Sequence, residues 1–183
     1  MRITELFDPT VDFVRVRDVK MPSRANANDA GYDWFIPNGL DEFKEDLIKE
    51  NANRRIMYGP SEDGQFDITI GPHERIKIPS GLRVNIHDKD TYIGIDNKSG
   101  IANNKGLLYT SDVIDADYRG ECNLCLVNTS DDWVTVRTGQ KILQAIQRPK
   151  IPTVYNELTL EEFEKLEATD RGTRGFGSSG LTS

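Results

Sequence analysis

Short strand-like runs separated by turn residues recur along this chain, and they constrain its fold more than any other feature of the sequence. The runs are rich in β-branched and other apolar residues, and they fall at residues 13–16, 75–78, 82–86, 92–95, 123–128, 133–136 and 142–147. No internal repeat of solenoid or propeller length is visible, which excludes the repeat architectures. The pattern predicts an all-β fold, a sandwich or barrel of antiparallel strands, and 183 residues suit a single domain over residues 1–183.

One amphipathic segment interrupts the strand pattern. Residues 40–55, LDEFKEDLIKENANRR, carry acidic residues before basic ones, and apolar residues recur near the helical period at Leu40, Phe43, Leu47 and Ile48. The turn-rich YGPSEDGQ follows, which predicts a short helical insertion over residues 40–65. The apolar stripe of this helix can pack on its own subunit or bind a partner protein, and such stripes more often pack on their own fold.

The C-terminal part of the chain predicts a short helix followed by an arm. Residues 159–167 have helical periodicity behind Thr159, which is a favourable N-cap residue. Residues 168–183 are rich in glycine and serine, so we expect a C-terminal arm that is mobile without a substrate and can close over a ligand.

The charge balance argues against binding to nucleic acid. The formal net charge is -7 and the pI is near 4.9, whereas a generic nucleic-acid surface needs clustered Lys and Arg. No apolar run approaches the length of a membrane span, and the N-terminal MRITELFDPT lacks the features of a signal peptide. We expect a soluble, cytoplasmic protein without membrane contact, in which a few placed cations meet any phosphate-bearing ligand.

The two cysteines, Cys122 and Cys125, lie in the strand-like ECNLCLVN. Alternation along a strand places them on opposite faces, whereas a redox or metal-binding pair usually needs a turn. A single C-x-x-C without a second pair or nearby histidines is also a weak zinc signal. We therefore expect both residues to belong to the strand core as free thiols.

The glycine-rich RGTRGFGSSG at residues 171–180 has the composition of a phosphate-binding segment. Glycine N–H groups can approach phosphate oxygens, Arg171 can pair with them bidentately, and Phe176 offers a face to a flat base. Ser178 and Ser179 add hydroxyl donors. A disordered glycine-serine tail has a similar composition, so this segment supports a ligand site only together with a second motif.

The second motif is NKSGIANNKG at residues 97–106. At the end of a predicted strand, Lys98, Ser99 and Gly100 offer a cation, a hydroxyl and an open backbone N–H to a phosphate chain. A cation, a hydroxyl and an open N–H on three consecutive residues indicate a phosphate-binding site.

A third motif, SDVIDADYRGE at residues 111–121, predicts a turn between two strands that brings Asp115, Asp117 and Tyr118 together. A carboxylate such as Asp115 can accept a proton from water, and Tyr118 can cover one face of a sugar. A polar hairpin with Asp at its turn positions is the alternative, and such hairpins are common.

Five motifs, in order across most of the chain, resemble those of the trimeric dUTPase family. They are AGYD at residues 30–33, KSGIANNKG at 98–106, DVIDADYRGE at 112–121, GQKILQAI at 139–146 and RGTRGFGSSG at 171–180. One motif can occur by chance, but five in this order with family-like spacing after residue 97 are a specific signal. The resemblance implies a jelly-roll-like β barrel, hydrolysis of dUTP to dUMP and pyrophosphate, and a homotrimer whose subunits share each active site.

The resemblance also implies roles at the nucleoside end of the substrate. Asp115 would activate the water that attacks the α-phosphorus. Tyr118 would pack under the deoxyribose and leave no room for a 2′-hydroxyl. The edge of uracil would be recognised by Val113, Ile114 and Asn123. Cytosine and thymine would be rejected effectively, because a wrong base leaves polar edges unpaired.

At the phosphate end, the resemblance implies that Lys98, Ser99 and Gly100 hold the phosphate chain and that Gln144 lies beside it. Asp33 would act on Mg²⁺ through the waters of the metal, because Mg²⁺ usually keeps waters and spans substrate phosphates. The C-terminal arm would clamp the β- and γ-phosphates and stack on uracil, and its substrate-binding residues would be Arg171, Phe176, Gly177, Ser178 and Ser179.

Three positions depart from the family pattern. Lys98 stands where arginine is usual, and it lacks the guanidinium fork that both binds phosphate and braces a neighbouring carboxylate. Asp112 replaces a glycine at a position where a positive φ or a close approach to the base can be needed. This departure therefore bears most directly on base specificity. Arg174 replaces another glycine, where it adds a phosphate contact or points to solvent.

Two alternatives of different kinds compete with this interpretation. A dCTP deaminase, or a pyrophosphatase of another deoxynucleotide, shares the fold, although the GIANNK after Ser99 lacks the Ser-Ser-x-x-Arg pattern of the deaminase. A regulatory or structural trimer could have lost catalysis through Lys98 and Asp112. Against this second alternative, the chain keeps a general base, a sugar wall and a phosphate clamp in Asp115, Tyr118, Gln144, Arg171 and Phe176.

Overall fold

The computed structural model describes residues 9–38, 41–61, 64–170 and 172–173, which form twelve strands and three short helices. The strands are β1 (Val11–Arg15), β2 (Tyr32–Phe35), β3 (Ile56–Pro60), β4 (Phe66–Ile70), β5 (Arg75–Pro79), β6 (Leu82–Ile86), β7 (Thr91–Asn97), β8 (Leu107–Tyr109), β9 (Val113–Ile114), β10 (Asn123–Asn128), β11 (Val134–Arg137) and β12 (Lys141–Pro149). The helices are α1 (Asp41–Glu50), α2 (Ser99–Lys105) and α3 (Leu160–Glu164). None of these helices is long and apolar enough to cross a membrane. The all-β prediction is confirmed.

The strands pair antiparallel in four sheets, with the orders β1-β6, β5-β10-β8, β11-β4-β3 and β2-β12-β7-β9. In the largest sheet, β12 lies between β2 and β7, and β7 also pairs with the two-residue β9. This pairing brings residues of the first, third and fourth motifs, which are far apart along the chain, to one sheet, and the second motif begins directly after β7.

The chain divides into two compact units, Met1–Ile151 and Pro152–Ser183. The first unit holds a single hydrophobic core, in which buried and half-buried residues alternate along strands such as β4 and β10. Trp34 of β2 is completely buried there and packs edge-to-face against Phe13, with 5.9 Å between the ring centroids. Strands β4 and β10 therefore bury one face each, whereas three consecutive residues of β2 are buried.

Helix α1 packs on its own chain through two side chains of the predicted stripe. Phe43 and Leu47 belong to the same core as the strands, whereas Ile48 is 40% exposed. The helix ends before Asn51. The side-chain amide of Asn51 donates to the backbone oxygen of Lys77 at 2.8 Å, and it accepts from the backbone N–H of Lys77 at 3.0 Å. The Asn51 side chain thus pairs with the backbone of β5 at Lys77, and the helix ends before residue 55, the end that the sequence pattern predicts.

The prediction of a loop after this helix was wrong for the first residues of that segment. Residues 58–60 belong to β3, which pairs with β4 along its whole length. Gly59 and Pro60 suggest a turn, but β3 is an edge strand, where the missing N–H of a proline needs no partner. Leu40 and residues 62–63 of the predicted insertion lie outside the described residues.

In the second unit, Thr159 caps α3 as predicted. The Thr159 hydroxyl accepts from the backbone N–H of Glu162 at 3.3 Å, and the Glu162 carboxylate accepts from the backbone N–H of Thr159 at 2.8 Å. This reciprocal pair is a capping box, which satisfies two N–H groups that the helix leaves open. Residues 171 and 174–183 lie outside the described residues, so the mobility of the arm stays a prediction.

The prediction that both cysteines belong to the strand core is confirmed for Cys122 and wrong for Cys125. Both are free; Cys122 directly precedes β10 and is buried, whereas Cys125 lies in β10 and is half-buried. Burial, and to a smaller extent the charge of Glu121, raises the pKa of the Cys122 thiol to about 12.

Candidate active site

Strands β2 and β12 place residues of the first and fourth motifs opposite each other. Asp33 is the register partner of Gln144, whose Nε2 donates to the backbone oxygen of Asn97 at 2.9 Å. Gly31 precedes β2, and a Cβ atom there would lie 2.8 Å from Oε1 of Gln144. A side chain at position 31 would therefore have to displace the amide of Gln144.

The Asp33 carboxylate is almost completely buried and is held by two lysines. Nζ of Lys98 donates to Oδ1, and Nζ of Lys141 lies 3.2 Å from Oδ2. Burial acts to raise the pKa of Asp33, but the hydrogen bonds and charges of the two lysines outweigh it, so this pKa lies below its ordinary value. Lys98 therefore braces the carboxylate as the usual arginine was expected to, and Lys141 supplies a second contact.

Lys98 is also the N-cap of α2, and the next two residues form the first turn of that helix. Its backbone oxygen accepts from Ile101 at 2.9 Å and from Ala102 at 2.8 Å. Ser99 and Gly100 are exposed, and N–H groups in a first turn have no partner within the helix. A Cβ atom at Gly100 would meet nothing within 4 Å. The space beside these N–H groups is therefore open to a ligand. We call Asp33, Lys98, Ser99, Gly100, Lys141 and Gln144 the phosphate-side cluster.

The third motif and β10 line a cavity of about 350 Å³, which we call the nucleoside cavity. Its volume lies in the range of small-molecule sites. All five residues predicted to act at the nucleoside end line it: Val113, Ile114, Asp115, Tyr118 and Asn123. The remaining lining residues are Lys77, Ile95, Ser111, Cys122 and Cys125. The structure thus brings this predicted group together.

A tight turn orients the candidate base and the candidate sugar wall. The backbone N–H of Tyr118 donates to the backbone oxygen of Asp115 at 3.1 Å, and the Asp115 side chain is accessible to water. The Tyr118 hydroxyl donates to the backbone oxygen of Glu121 at 2.8 Å, and Nδ2 of Asn123 donates to the same oxygen at 3.2 Å. A Cβ atom at Gly120 would lie 2.5 Å from the Tyr118 hydroxyl, so a larger residue would displace the ring.

The predicted site residues fall into two groups rather than one. The six residues of the phosphate-side cluster are all among the described residues, and none of them lines the nucleoside cavity. The substrate-binding residues predicted in the arm lie outside the described residues: Arg171, Phe176, Gly177, Ser178 and Ser179.

Asp112 does not adopt the backbone conformation for which a glycine is needed. Within the described residues, His73 is the single non-glycine residue with a positive φ, at 57°. The carbonyl oxygen of Asp112 accepts from the backbone N–H of Ile95 at 2.7 Å, next to the pairing of β7 with β9. Of the two needs considered for a glycine here, the positive φ is therefore absent, and the close approach to the base stays a prediction. Arg174, the other replaced glycine, lies outside the described residues.

Two cations beside the site were not predicted from the sequence. Lys77 lines the nucleoside cavity, and its Nζ lies 2.9 Å from the Glu50 carboxylate. Lys141 contacts Asp33 because the pairing of β12 with β2 shifts its register between Lys141 and Leu143. A regular alternation places residues 141 and 144 on opposite faces, so the contact depends on an irregularity that the sequence does not mark.

A larger cavity of about 630 Å³ lies beside β1, β2 and β12. Its lining includes Val11, Phe13 and Trp34, and it contains none of the predicted site residues within the described ranges. The Nε1 atom of Trp34 is buried without a hydrogen-bond partner among these residues. Because the groups that recognise phosphate and activate water lie elsewhere, this cavity is not the candidate active site.

The phosphate-side cluster is compatible with a metal ion held through water. Within the described ranges, no group of three or more His, Cys, Asp or Glu side chains could hold a metal directly. Both oxygens of Asp33 accept from lysines, but a carboxylate offers about four acceptor positions, so it can still accept from a metal-bound water. Mg²⁺ commonly keeps several waters, and these residues therefore fit it.

Comparison with known proteins identifies relatives of this chain. The sequence profile of the dUTPase family matches residues 64–180. The deoxyuridine 5′-triphosphate nucleotidohydrolase of Heliobacterium modesticaldum is 30% identical over 168 residues, covering 91% of this chain and 93% of that protein. The protein of the same name from Rabbitpox virus is 36% identical over 141 residues, covering 75% of this chain and 90% of that protein.

Solved structures of dUTPases share the fold. A mutant dUTPase of Staphylococcus bacteriophage 80alpha, solved with dUpNHpp, has a TM-score of 0.67 at 20% identity and covers 94% of this chain and 99% of its own. Native EIAV dUTPase has a TM-score of 0.57 at 18% identity, and the match covers 82% of this chain and 98% of the EIAV chain. At these identities the likeness establishes the fold.

Proposed function

Because this chain belongs to the dUTPase family, we propose that it hydrolyses dUTP to dUMP and pyrophosphate. The observation that carries the proposal is the nucleoside cavity, where Asp115, Tyr118 and Asn123 meet. A carboxylate, an aromatic ring and an amide are the groups needed to activate water, to cover a sugar and to pair with the edge of a base.

In this mechanism Asp115 is the general base. Its carboxylate accepts a proton from a water molecule while the water oxygen attacks the α-phosphorus. The bond from the α-phosphorus to the bridging oxygen breaks, and pyrophosphate leaves. Asp115 is exposed at the cavity, so water can reach it before substrate binds.

The phosphate-side cluster supplies positive charge and donors to the triphosphate. Lys98 and Lys141 each hold Asp33 with one N–H, which leaves two more donors on each ammonium group for phosphate oxygens. Because Asp33 fixes both lysines in advance, their charge is oriented before the transition state forms. Asp33 would also hold the waters of Mg²⁺, and the ion, when bound, spreads the negative charge that develops on the leaving pyrophosphate.

Other donors complete the phosphate end. The Ser99 hydroxyl and the Gly100 N–H face open space in the first turn of α2, and Gln144 lies opposite Asp33 on β12. The C-terminal arm clamps the β- and γ-phosphates through Arg171, Gly177, Ser178 and Ser179, and Phe176 stacks on uracil.

Selectivity for deoxyuridine comes from the nucleoside cavity. The Tyr118 ring covers the deoxyribose where a 2′-hydroxyl would project. Val113 and Ile114 would offer backbone groups from β9, and Asn123, the first residue of β10, lines the same cavity. A base with a different pattern of donors leaves these polar groups unpaired, which costs binding free energy.

None of the phosphate-side cluster lines the nucleoside cavity of its own chain, and this supports a homotrimer with shared sites. In such a trimer the nucleoside cavity of one subunit would face the phosphate-side cluster of a neighbour, and one nucleotide would contact both. An arm from another subunit can then close the site.

The proposal is tested by measuring pyrophosphate release from dUTP, dCTP, dTTP and UTP, each with Mg²⁺ and with a chelator, and the oligomeric state by light scattering. We expect a trimer that releases pyrophosphate from dUTP alone and only with Mg²⁺. Release from dCTP or dTTP would indicate another base specificity, and no release from any substrate would favour a regulatory or structural trimer.

A further inference from the structure

Arg17 lies between helix α1 and the turn that carries Tyr118. Its Nε donates to Oε1 of Glu121 at 2.7 Å, and its Nη2 donates to Oε2 of Glu121 at 2.9 Å. The same Nη2 donates to Oδ2 of Asp46 in α1 at 2.6 Å. Two parallel hydrogen bonds fix the orientation of a carboxylate as well as its position. Arg17 therefore restrains Glu121, and α1 restrains Arg17.

Glu121 in turn holds the candidate sugar wall. Its carboxylate also accepts from the backbone N–H of Gly81 at 2.8 Å, and its backbone oxygen accepts from the Tyr118 hydroxyl at 2.8 Å. This hydrogen bond anchors the Tyr118 hydroxyl, and glycine at position 120 leaves the ring its space, because a Cβ atom there would lie 2.5 Å from the hydroxyl. A shift of Glu121 therefore changes the position of the Tyr118 ring.

We propose that Arg17 is a positioning residue for sugar discrimination, and that Asp46 of the insertion helix α1 holds Arg17 in place. The inference rests on the proposed function, in which Tyr118 covers the deoxyribose. Arg17 does not line the nucleoside cavity, so it acts on the nucleotide only through Glu121 and Tyr118. The insertion thereby contributes to selectivity from outside the cavity.

The exposures of the two ion pairs set the order of the expected effects. The side chains of Arg17 and Glu121 are 16% and 21% exposed, whereas that of Asp46 is 48% exposed. An ion pair that reaches solvent contributes little to holding its two side chains in place, and a shielded bidentate pair contributes more. Loss of the Arg17 guanidinium should therefore change discrimination more than loss of the Asp46 charge.

A double-mutant cycle tests whether Arg17 acts through the Tyr118 hydroxyl. The variants are Arg17→Gln, Tyr118→Phe and the pair, and the Phe variant keeps the ring while it removes the hydroxyl. Discrimination is measured as the ratio of kcat/KM for dUTP over UTP, and as the ratio of affinities for dUMP over UMP by calorimetry. We expect each single variant to lower both ratios about 5-fold, the worth of one hydrogen bond, and the pair to lower them no further.

Two additional variants separate positioning from folding. Glu45→Gln removes a charge from an exposed position of the same helix and should leave both ratios at the wild-type value. Arg17→Lys keeps one ion pair without the fork, so it should recover part of the discrimination. If Arg17→Gln does not fold, as judged by its melting temperature and oligomeric state, Asp46→Asn takes its place in the cycle.

Independent effects of Arg17→Gln and Tyr118→Phe, which multiply in the pair, would overturn the inference, as would unchanged ratios in every folded Arg17 and Asp46 variant. The binding ratio keeps this result distinct from a failure of the proposed function. A chain that prefers dUMP to UMP but releases no pyrophosphate contradicts the hydrolysis and leaves the cycle measurable. A chain without preference for dUMP contradicts both.

Discussion

The Nζ atom of Lys141 lies 3.2 Å from Oδ2 of Asp33, while Lys98 donates to the other oxygen of the same carboxylate. Two ammonium groups therefore occupy the two sides of a carboxylate that a single guanidinium fork could otherwise bind. Each lysine keeps free donors, so the replacement of arginine at position 98 need not reduce the positive charge offered to a triphosphate.

We expect Lys141→Gln to lower kcat/KM for dUTP about 10-fold, because it removes one charged donor from the phosphate-side cluster. Steady-state pyrophosphate release measures the effect. Lys49→Gln, which removes a charge from an exposed position of α1, is the matched control and should have wild-type kinetics. If the two variants behave alike, Lys141 has no role at the phosphates.

Asp115→Asn should bind dUMP with nearly the wild-type affinity and lose turnover about 10²- to 10⁴-fold, because an amide cannot accept the proton of the attacking water. Single-turnover assays and calorimetry separate the two effects. Asp117→Asn is the control, since Asp117 is exposed in the same turn and its oxygen lies 3.8 Å from Nζ of Lys89. Substantial turnover by Asp115→Asn would rule this residue out as the base.

The pKa of Asp33 predicts the pH dependence of stability. A carboxyl whose pKa is depressed on folding stabilises the fold above its ordinary pKa of 3.8, and this contribution is lost as the pH falls through the lower folded value. The gap in unfolding free energy between wild type and Asp33→Asn should therefore be largest at neutral pH and shrink below 3.8. Urea unfolding over this pH range measures it, with Asp18→Asn at an exposed position as control. A constant gap would contradict the prediction.

The two cysteines should differ strongly in reactivity. Cys122 is 1% exposed and its thiol has a pKa of about 12, so it stays protonated and shielded at neutral pH. Cys125 is half-buried and lines the nucleoside cavity, so a thiol reagent should modify it first and dUMP should slow the reaction. Mass spectrometry of the labelled chain, with Cys125→Ser as control, identifies the site. Equal labelling with and without dUMP would place the nucleotide elsewhere.

Removal of the chain from Arg171 onward should spare the trimer and abolish dUTP hydrolysis. The truncation deletes the guanidinium and the hydroxyls expected to clamp the β- and γ-phosphates, but leaves every described strand intact. Light scattering and pyrophosphate release measure the two properties. Phe176→Ala provides a milder change that removes only the expected stacking on uracil. Wild-type turnover by the truncated chain would show that the arm is not part of the site.

The sequence was most informative where local chemistry determines structure. Strands β6 and β10 have the predicted bounds, because one face of each is apolar and the ends are marked by polar or turn residues. Thr159 was predicted as a cap because only a short polar side chain bonds the open N–H groups of a first turn. The five predicted residues of the nucleoside cavity were found together because they lie close in sequence, within residues 113–123.

The sequence was least informative where pairing between distant strands decides the outcome. β3 contains Gly59 and Pro60, and only its place at the edge of a sheet makes a strand possible there. The contact of Lys141 with Asp33 depends on a register shift in β12. The role of Arg17 likewise depends on two partners that are distant in sequence, Asp46 and Glu121.

The burial of Trp34 gives this protein an optical readout that needs no label. The chain has two tryptophans, of which Trp34 is fully buried next to Asp33 in sequence and Trp133 is 47% exposed. An aqueous quencher such as iodide should extinguish the fluorescence of Trp133 first, and the remaining blue-shifted emission then comes from β2. The spectrum of the quenched protein therefore reports on the strand that carries Asp33, and it can follow nucleotide arrival at the phosphate-side cluster in real time.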